Sequence, residues 1–252
     1  MAKALKINDK WVNFVGRHTD PRYVWITDRL GKQIVENPTS FGVNGEDLVV
    51  CFPSGKYGDV EEFFRLKKSE IGSAQAVVFL LVGADEIAED APPVLSHAIR
   101  KYWLHPRGPR QVPLHSAVEV TAKYEALVDV ALQTFPSARV VTSDPAPRRS
   151  GHGFAIKRAM RVSDEIQKKD ERHSHIRLIR KFHAKRPAGK GNLLKEGGKY
   201  PLREVHFEED GMTMTFNALA GVYIRAKVYV ESIVGREGMA IPNEIDGLKV
   251  KF

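Results

Sequence analysis

The sequence predicts a three-layer α/β/α domain built on a largely parallel sheet, and two observations carry that prediction. Four short runs of β-branched, aliphatic and aromatic residues, each closed by Gly, Pro, Ser or Asp, have the length and composition of strands buried on both faces. Amphipathic helical patterns stand between and after them, and strands that alternate with helices imply crossovers that place helices on both faces of one sheet.

Taken in order, the predicted strands are 22–26 (RYVWI), 47–52 (DLVVCF), 76–82 (AVVFLLV) and 138–142 (ARVVT). The clearest helix covers 118–135, where Val120, Tyr124, Leu127 and Ala131 follow at spacings of four, three and four. That stripe can lie on one face of the sheet. A second helix is predicted over 153–169, with Ala155, Ala159, Val162 and Ile166 on one side and Lys157, Arg161 and Lys168 on another. A strand is expected over 176–182. The last helix covers 216–234, where Phe216, Leu219, Ala220, Tyr223 and Val230 keep the helical period and Lys227 interrupts the stripe or carries its ammonium out of it.

The domain is expected over 21–236, with an N-terminal extension at 1–20 and a C-terminal tail at 237–252 that contains an Asp-Gly turn signal. Two long irregular segments interrupt it. The first, 90–113, is rich in Pro and carries Arg100, Lys101, Tyr102, Trp103, His105, Arg107 and Arg110; the second, 184–202, reads as a flexible basic loop. Loops of this length inside one domain tend to be functional or disordered.

A chain of 252 residues with 42% hydrophobic content is long enough to bury a sizeable core. The N-terminus has no apolar leader, and no run approaches the roughly 20 apolar residues that span a bilayer. The single cysteine, Cys51, sits in the apolar run LVVCFP and reads as a small buried hydrophobe. An intracellular protein, cytoplasmic or nuclear and without a membrane partner, is therefore expected.

Charge is unevenly placed. The formal net charge is +8, yet residues 148–203 alone carry seventeen Lys and Arg against five Asp and Glu, so the rest of the chain is net acidic. Such a concentration suits a polyanion. The residues expected to meet it are Arg148, Arg149, Lys157, Arg158, Arg161, Lys168, Lys169, Arg177, Arg180, Lys181, Lys185 and Arg186, because Lys and Arg spread over a helix and its flanks can follow a phosphate backbone. Tyr102 and Trp103 are candidates for stacking on bases.

The strand ends carry a further pattern. Thr27-Asp28-Arg29 follows the first strand, Phe52-Pro53-Ser54-Gly55 the second, Gly83-Ala84-Asp85-Glu86 the third, and Ser143-Asp144-Pro145-Ala146-Pro147-Arg148 the fourth; Asp210-Gly211-Met212-Thr213 precedes the last helix. From about Arg22 to about Val234 this layout resembles the SGNH (GDSL-type) hydrolases. Their nucleophilic Ser follows the first strand, oxyanion-hole Gly and Asn follow the second and third, and an Asp-x-x-His motif stands before the final helix. The resemblance implies the three-layer fold with strands in the flavodoxin-like order. It also implies that Arg29 stands at the serine position, Asp85 at the asparagine position, and Asp210 and Thr213 at the Asp and His positions.

Arg is no nucleophile, Thr no general base near neutral pH, and an ionised Asp repels an oxyanion. The expectation is therefore a chain that is not an enzyme: a degenerate SGNH-like module binding RNA or an RNA-associated protein. In fold use this is similar to the Oskar C-terminal domain and to SGNH-like domains encoded by retrotransposons. Two alternatives stand beside it. One is a protein–protein scaffold with a merely solvated basic face; the other is an active esterase using different residues, such as Ser54 or Ser143 with one of the histidines.

No cofactor is expected. The sequence has no Gly-x-Gly-x-x-Gly after the first strand and no phosphate-binding Gly-x-x-x-x-Gly-Lys-Ser/Thr. His173 and His175 are the tightest histidine pair, but no third ligand stands at a familiar spacing and no metal site is expected. Asp85 and Glu86 read as solvated charges at a helix start.

Overall fold

Strand residues here divide by parity, and that division builds the layers. Tyr23, Trp25, Val49, Cys51, Val78 and Leu80 point into one buried cluster, while Val24, Ile26, Val50, Phe52, Val77 and Phe79 point into another. Each strand is apolar on both faces because the sheet is covered on both. The computed structural model describes residues 3–53, 55–90, 111–113, 115–145, 161–166, 173–176, 194–195, 204–205 and 216–235.

The strands of the main sheet are β1 (Lys3–Ile7), β2 (Lys10–Gly16), β3 (Tyr23–Asp28), β4 (Leu48–Phe52), β5 (Ala76–Leu80), β8 (Arg139–Ser143) and β9 (Ser174–Ile176). β6 (Ala88–Asp90) pairs with β7 (Gln111–Pro113), and β10 (Leu194–Lys195) pairs with β11 (Glu204–Val205), each antiparallel. The main sheet runs β1-β2-β4-β3-β5-β8-β9. From β4 to β9 every pairing is parallel, and the parallel strands stand in the flavodoxin-like order that the resemblance implies. β1 and β2 continue the sheet antiparallel beyond β4.

Helices Lys32–Glu36 and Phe216–Val234 cover one face; Tyr57–Ile71 and Ala117–Thr134 cover the other, with Val162 and Ile166 of the helical stretch 161–166 packed there too. The predicted stripe is the buried one: Val120, Tyr124, Leu127 and Ala131 are all sealed from solvent. Ser116 caps that helix by accepting from Glu119 N, and Glu119 returns the bond to Ser116 N. In the final helix Lys227 does leave the stripe, donating to the Gly42 carbonyl at 2.9 Å.

Several elements differ from the sequence expectation. Residues 3–16, expected as part of an extension, form a hairpin. Its tight turn places Asn8 and Asp9 at positive φ, which Asn and Asp tolerate. Asp59 then fastens that hairpin to the helix beside it, accepting from Asn8 Nδ2 at 3.1 Å, Lys10 Nζ at 2.7 Å and Lys56 N at 2.8 Å. Burial raises the Asp59 pKa, and these donors outweigh it and hold the carboxyl below its ordinary value. The third parallel strand stops at Leu80, two residues early, because Leu81 turns out at positive φ.

The last strand of the sheet is Ser174–Ile176, where the expectation began at Ile176; its continuation over 177–182 lies outside the described residues. The expected basic loop 184–202 contains the strand Leu194–Lys195. The tail 237–252 lies outside the described residues. Among the described residues no helix is long and apolar enough to cross a membrane.

Candidate active site

The carboxyl ends of parallel strands gather at one edge of the sheet, where doubly wound folds bind ligands. Asp28 organises that edge. Its carboxylate accepts from Leu30 N at 3.0 Å and from Ala84 N at 3.2 Å, joining the turn after β3 to the turn after β5. Its carbonyl accepts the Cys51 thiol at 3.2 Å, which ties in β4. Ser143 closes the set from β8, its Oγ accepting from Leu81 N at 2.8 Å. The four strand-end motifs recognised in the sequence are thus neighbours in space.

Gly83 lies at positive φ in the third of these turns, and a Cβ there would run into the Tyr57 hydroxyl. Cys51 is fully buried, and burial pushes its thiol far up, as the sequence reading expects of an inert residue.

Arg29 stands on the short 3-10 turn Arg29–Gly31, half-buried. Asp85 lies on the helical turn Ala84–Ile87, two residues after Gly83. Asp210 and Thr213, like Ser54, lie outside the described residues.

Glu86 corrects the expectation of solvated charges at 85 and 86. It is buried, and Oε1 accepts from Tyr57 N at 3.1 Å while Oε2 accepts from Lys123 Nζ at 3.1 Å. The amino end of a 15-residue helix offers unpaired N–H groups and the positive end of its dipole, and that draws the carboxylate inward. His115 completes the group, with Nε2 2.7 Å from Lys123 Nζ and 3.6 Å from Glu86 Oε2.

A second cluster stands at the ends of β8 and β9, and the sequence did not single it out as a set. Ser163, on the helical stretch 161–166, donates its hydroxyl to Asp144 Oδ1 and lies 3.2 Å from His175 Nε2. His175 Nε2 is 3.6 Å from Asp144 Oδ1, and Thr142 Oγ1 holds the other ring nitrogen, Nδ1, at 2.9 Å. Asp144 and Ser163 are each 3% exposed and the His175 side chain is sealed. A hydroxyl, an imidazole and a carboxylate within one network are the residue types of acyl transfer. The arrangement differs from the usual triad, since Asp144 and Ser163 approach the same ring nitrogen and Thr142 takes the opposite one.

Of the twelve basic residues expected at a nucleic-acid surface, Arg161 alone is among the described residues, exposed on the stretch that carries Ser163. Arg148, Arg149, Lys157, Arg158, Lys168, Lys169, Arg177, Arg180, Lys181, Lys185 and Arg186 lie outside them, as do Tyr102 and Trp103. Among the described residues no group of three or more His, Cys, Asp or Glu side chains could hold a metal.

No protein-family model and no curated protein matches the sequence. Solved structures do. The chain is similar to a GDSL-like lipase from Bacteroides thetaiotaomicron (TM-score 0.55, 11% identity, covering 84% of this chain and 88% of that one). It is similar to a Bacteroides fragilis chain assigned as an acylhydrolase (TM-score 0.56, 11% identity, 86% and 92% covered). A Streptococcus pneumonia chain assigned as a platelet activating factor matches with TM-score 0.53 and 12% identity, 84% and 85% covered.

These neighbours overturn the expectation that the chain is not an enzyme, for the proteins that share its architecture include a lipase and an acylhydrolase. That expectation rested on positions 29, 85, 210 and 213 alone, and Ser, His and Asp side chains also meet at 163, 175 and 144 on the same edge of the sheet. Its seven-stranded sheet with helices on both faces is the fold of the GDSL-like hydrolases to which the chain is similar over 84% of its length.

Proposed function

We propose that the protein is a hydrolase of acyl esters that works at the carboxyl edge of its sheet, with Ser163 as nucleophile and His175 and Asp144 as the groups that handle its proton. The observation that carries this reading is the 3.2 Å approach of Ser163 Oγ to His175 Nε2 beside Asp144. In the first step Ser163 Oγ bonds to the acyl carbon, its proton passes to the Asp144–His175 pair, and the alkoxide leaving group departs with a proton. Water then cleaves the acyl-enzyme by the reverse proton route. Thr142 fixes the ring of His175 and thereby its reactive nitrogen. Ser163 is closed off in this state, so substrate binding must open a path to it.

Turnover of a short-chain nitrophenyl ester tests the proposal. Wild-type protein should hydrolyse it, and Ser163→Ala and His175→Ala should each lower kcat/KM by at least about a thousandfold. Turnover unchanged in Ser163→Ala, or none in the wild type, removes it.

A second reading concerns the partner. Exposed Arg161 beside the candidate site, within the basic stretch 148–203, supports RNA or an RNA-associated protein as a ligand of that surface. Filter binding of single-stranded RNA should then weaken steeply with salt, with a smaller slope once Lys157, Arg158 and Arg161 are neutralised.

A further inference from the structure

Asp47 stands just before β4, at the end of the sheet opposite the candidate active site. Its backbone has no freedom to swing. Asp47 N donates to Asn44 O at 3.0 Å, and Asp47 O accepts from Arg17 N at 2.9 Å. Gly16, at φ +103°, packs so close that a Cβ there would strike that same carbonyl oxygen. The side chain is therefore committed to the interior, where it is fully buried.

What it meets there is polar but unbonded. Neither carboxylate oxygen has a hydrogen-bond partner among the described residues, and the same holds for Tyr23 OH, Trp25 Nε1 and Tyr223 OH, all buried. The three rings pack together: Trp25 lies 4.9 Å from Tyr223 and 6.5 Å from Tyr23, centroid to centroid. Trp25 N–H interacts with the carboxyl without reaching good hydrogen-bond geometry. The charged groups acting on it are Lys227 and Arg22, which favour the ionised form, and Glu231, which opposes it. Lys227 already donates to Gly42 O, and Arg22 lies over the Tyr23 ring at 4.9 Å, where it also acts on the Tyr23 hydroxyl without reaching good hydrogen-bond geometry. Neither cation forms an ion pair with Asp47 among the described residues.

An ionised carboxylate without bonds in such a place is costly, whereas the protonated acid is neutral and can itself donate. We propose that Asp47, Tyr23, Trp25 and Tyr223 form a proton-binding site that couples acidity to the seating of the final helix on the sheet. Tyr223 belongs to that helix and Tyr23 and Trp25 to β3, so the proton is taken up at the contact between the two. Burial raises Asp47 from 3.8 to about 6 in the folded protein. A raised folded value means that the native state binds the proton more tightly than the unfolded chain. Its stabilising effect is full below about 4, falls as pH rises, and is gone above about 6. The change of about two pKa units corresponds to roughly a hundredfold in the folding equilibrium constant.

The experiment uses the full chain with Trp11 and Trp103 replaced by Phe, so that Trp25 alone reports. Trp25 emission of the folded protein should titrate with a midpoint near pH 6 in the Asp47 form and stay flat in Asp47→Asn. Denaturant unfolding should show the folding constant falling by about thirtyfold between pH 4.5 and pH 7.5 in the Asp47 form, the part of the full change that lies above pH 4.5. That fall should be absent in Asp47→Asn, which becomes the more stable form at pH 7.5. A flat Trp25 signal in the Asp47 form overturns the proposal, as does a pH profile that survives Asp47→Asn. If Asp47→Asn does not fold, the emission titration of the Asp47 form decides.

Discussion

Glu86 joins the amino end of helix Tyr57–Ile71 to Lys123 on helix Ala117–Thr134. Truncating it strips Tyr57 N–H of its acceptor in a place water does not reach. Glu86→Ala should therefore lower stability by about 1–3 kcal/mol in urea unfolding, and Glu86→Gln by less, since an amide oxygen can still accept. Nothing at positions 85 and 86 announces this, because the acceptor and its donor lie 29 residues apart and meet only once the sheet has formed. The Ser163–Asp144–His175 network is hidden for the same reason. Its members belong to a helix, a strand end and an edge strand, and His175 in sequence is merely half of a histidine pair. By contrast Asp28 and Gly83 were legible, since a strand end followed by a turn residue is a local pattern.

At the scale of elements, periodicity told most. Leu127 is sealed and Val118, on the same helix, is 74% exposed. Leu127→Ala should cost about 2–5 kcal/mol by creating a cavity, whereas Val118→Thr should stay within about 0.5 kcal/mol of wild type. Thermal and urea unfolding of the two variants measure the difference. The β1–β2 hairpin was not legible because its apolar residues do not alternate cleanly: Trp11 is 62% exposed while Val12 and Val15 are buried. Its turn, Asn8-Asp9, also lacks the glycine that marks the strongest hairpin signals. Over 216–234, where Lys227 interrupts an otherwise regular hydrophobic period, the predicted and observed helix coincide.

For the whole molecule, the alternation of strands and helices foretold the parallel sheet, and the order of its strands is the one the resemblance implies. The two antiparallel strands added beyond β4 are not needed for that topology, yet they cover it. Removing residues 3–16 would bare the edge of β4 at Leu48, Val49, Val50 and Cys51, all buried. Such a truncation should aggregate where the intact chain stays dispersed, as light scattering during concentration would show. The proposed chemistry at one edge and the proposed proton uptake at the other are separable: variants at Ser163 should leave the Asp47-dependent fall in stability unchanged, and variants at Asp47 should leave ester turnover at acid pH unchanged.

The hairpin also decides what a neighbouring molecule encounters at that rim. β1 is the outermost strand and reads Lys-Ala-Leu-Lys-Ile, with Lys3 and Lys6 exposed. A second chain seeking to extend the array would have to lay its own backbone beside Lys3 on one face and Lys6, ion-paired with Asp9 at 2.8 Å, on the other. Two exposed lysines on so short a strand disfavour edge-to-edge pairing there.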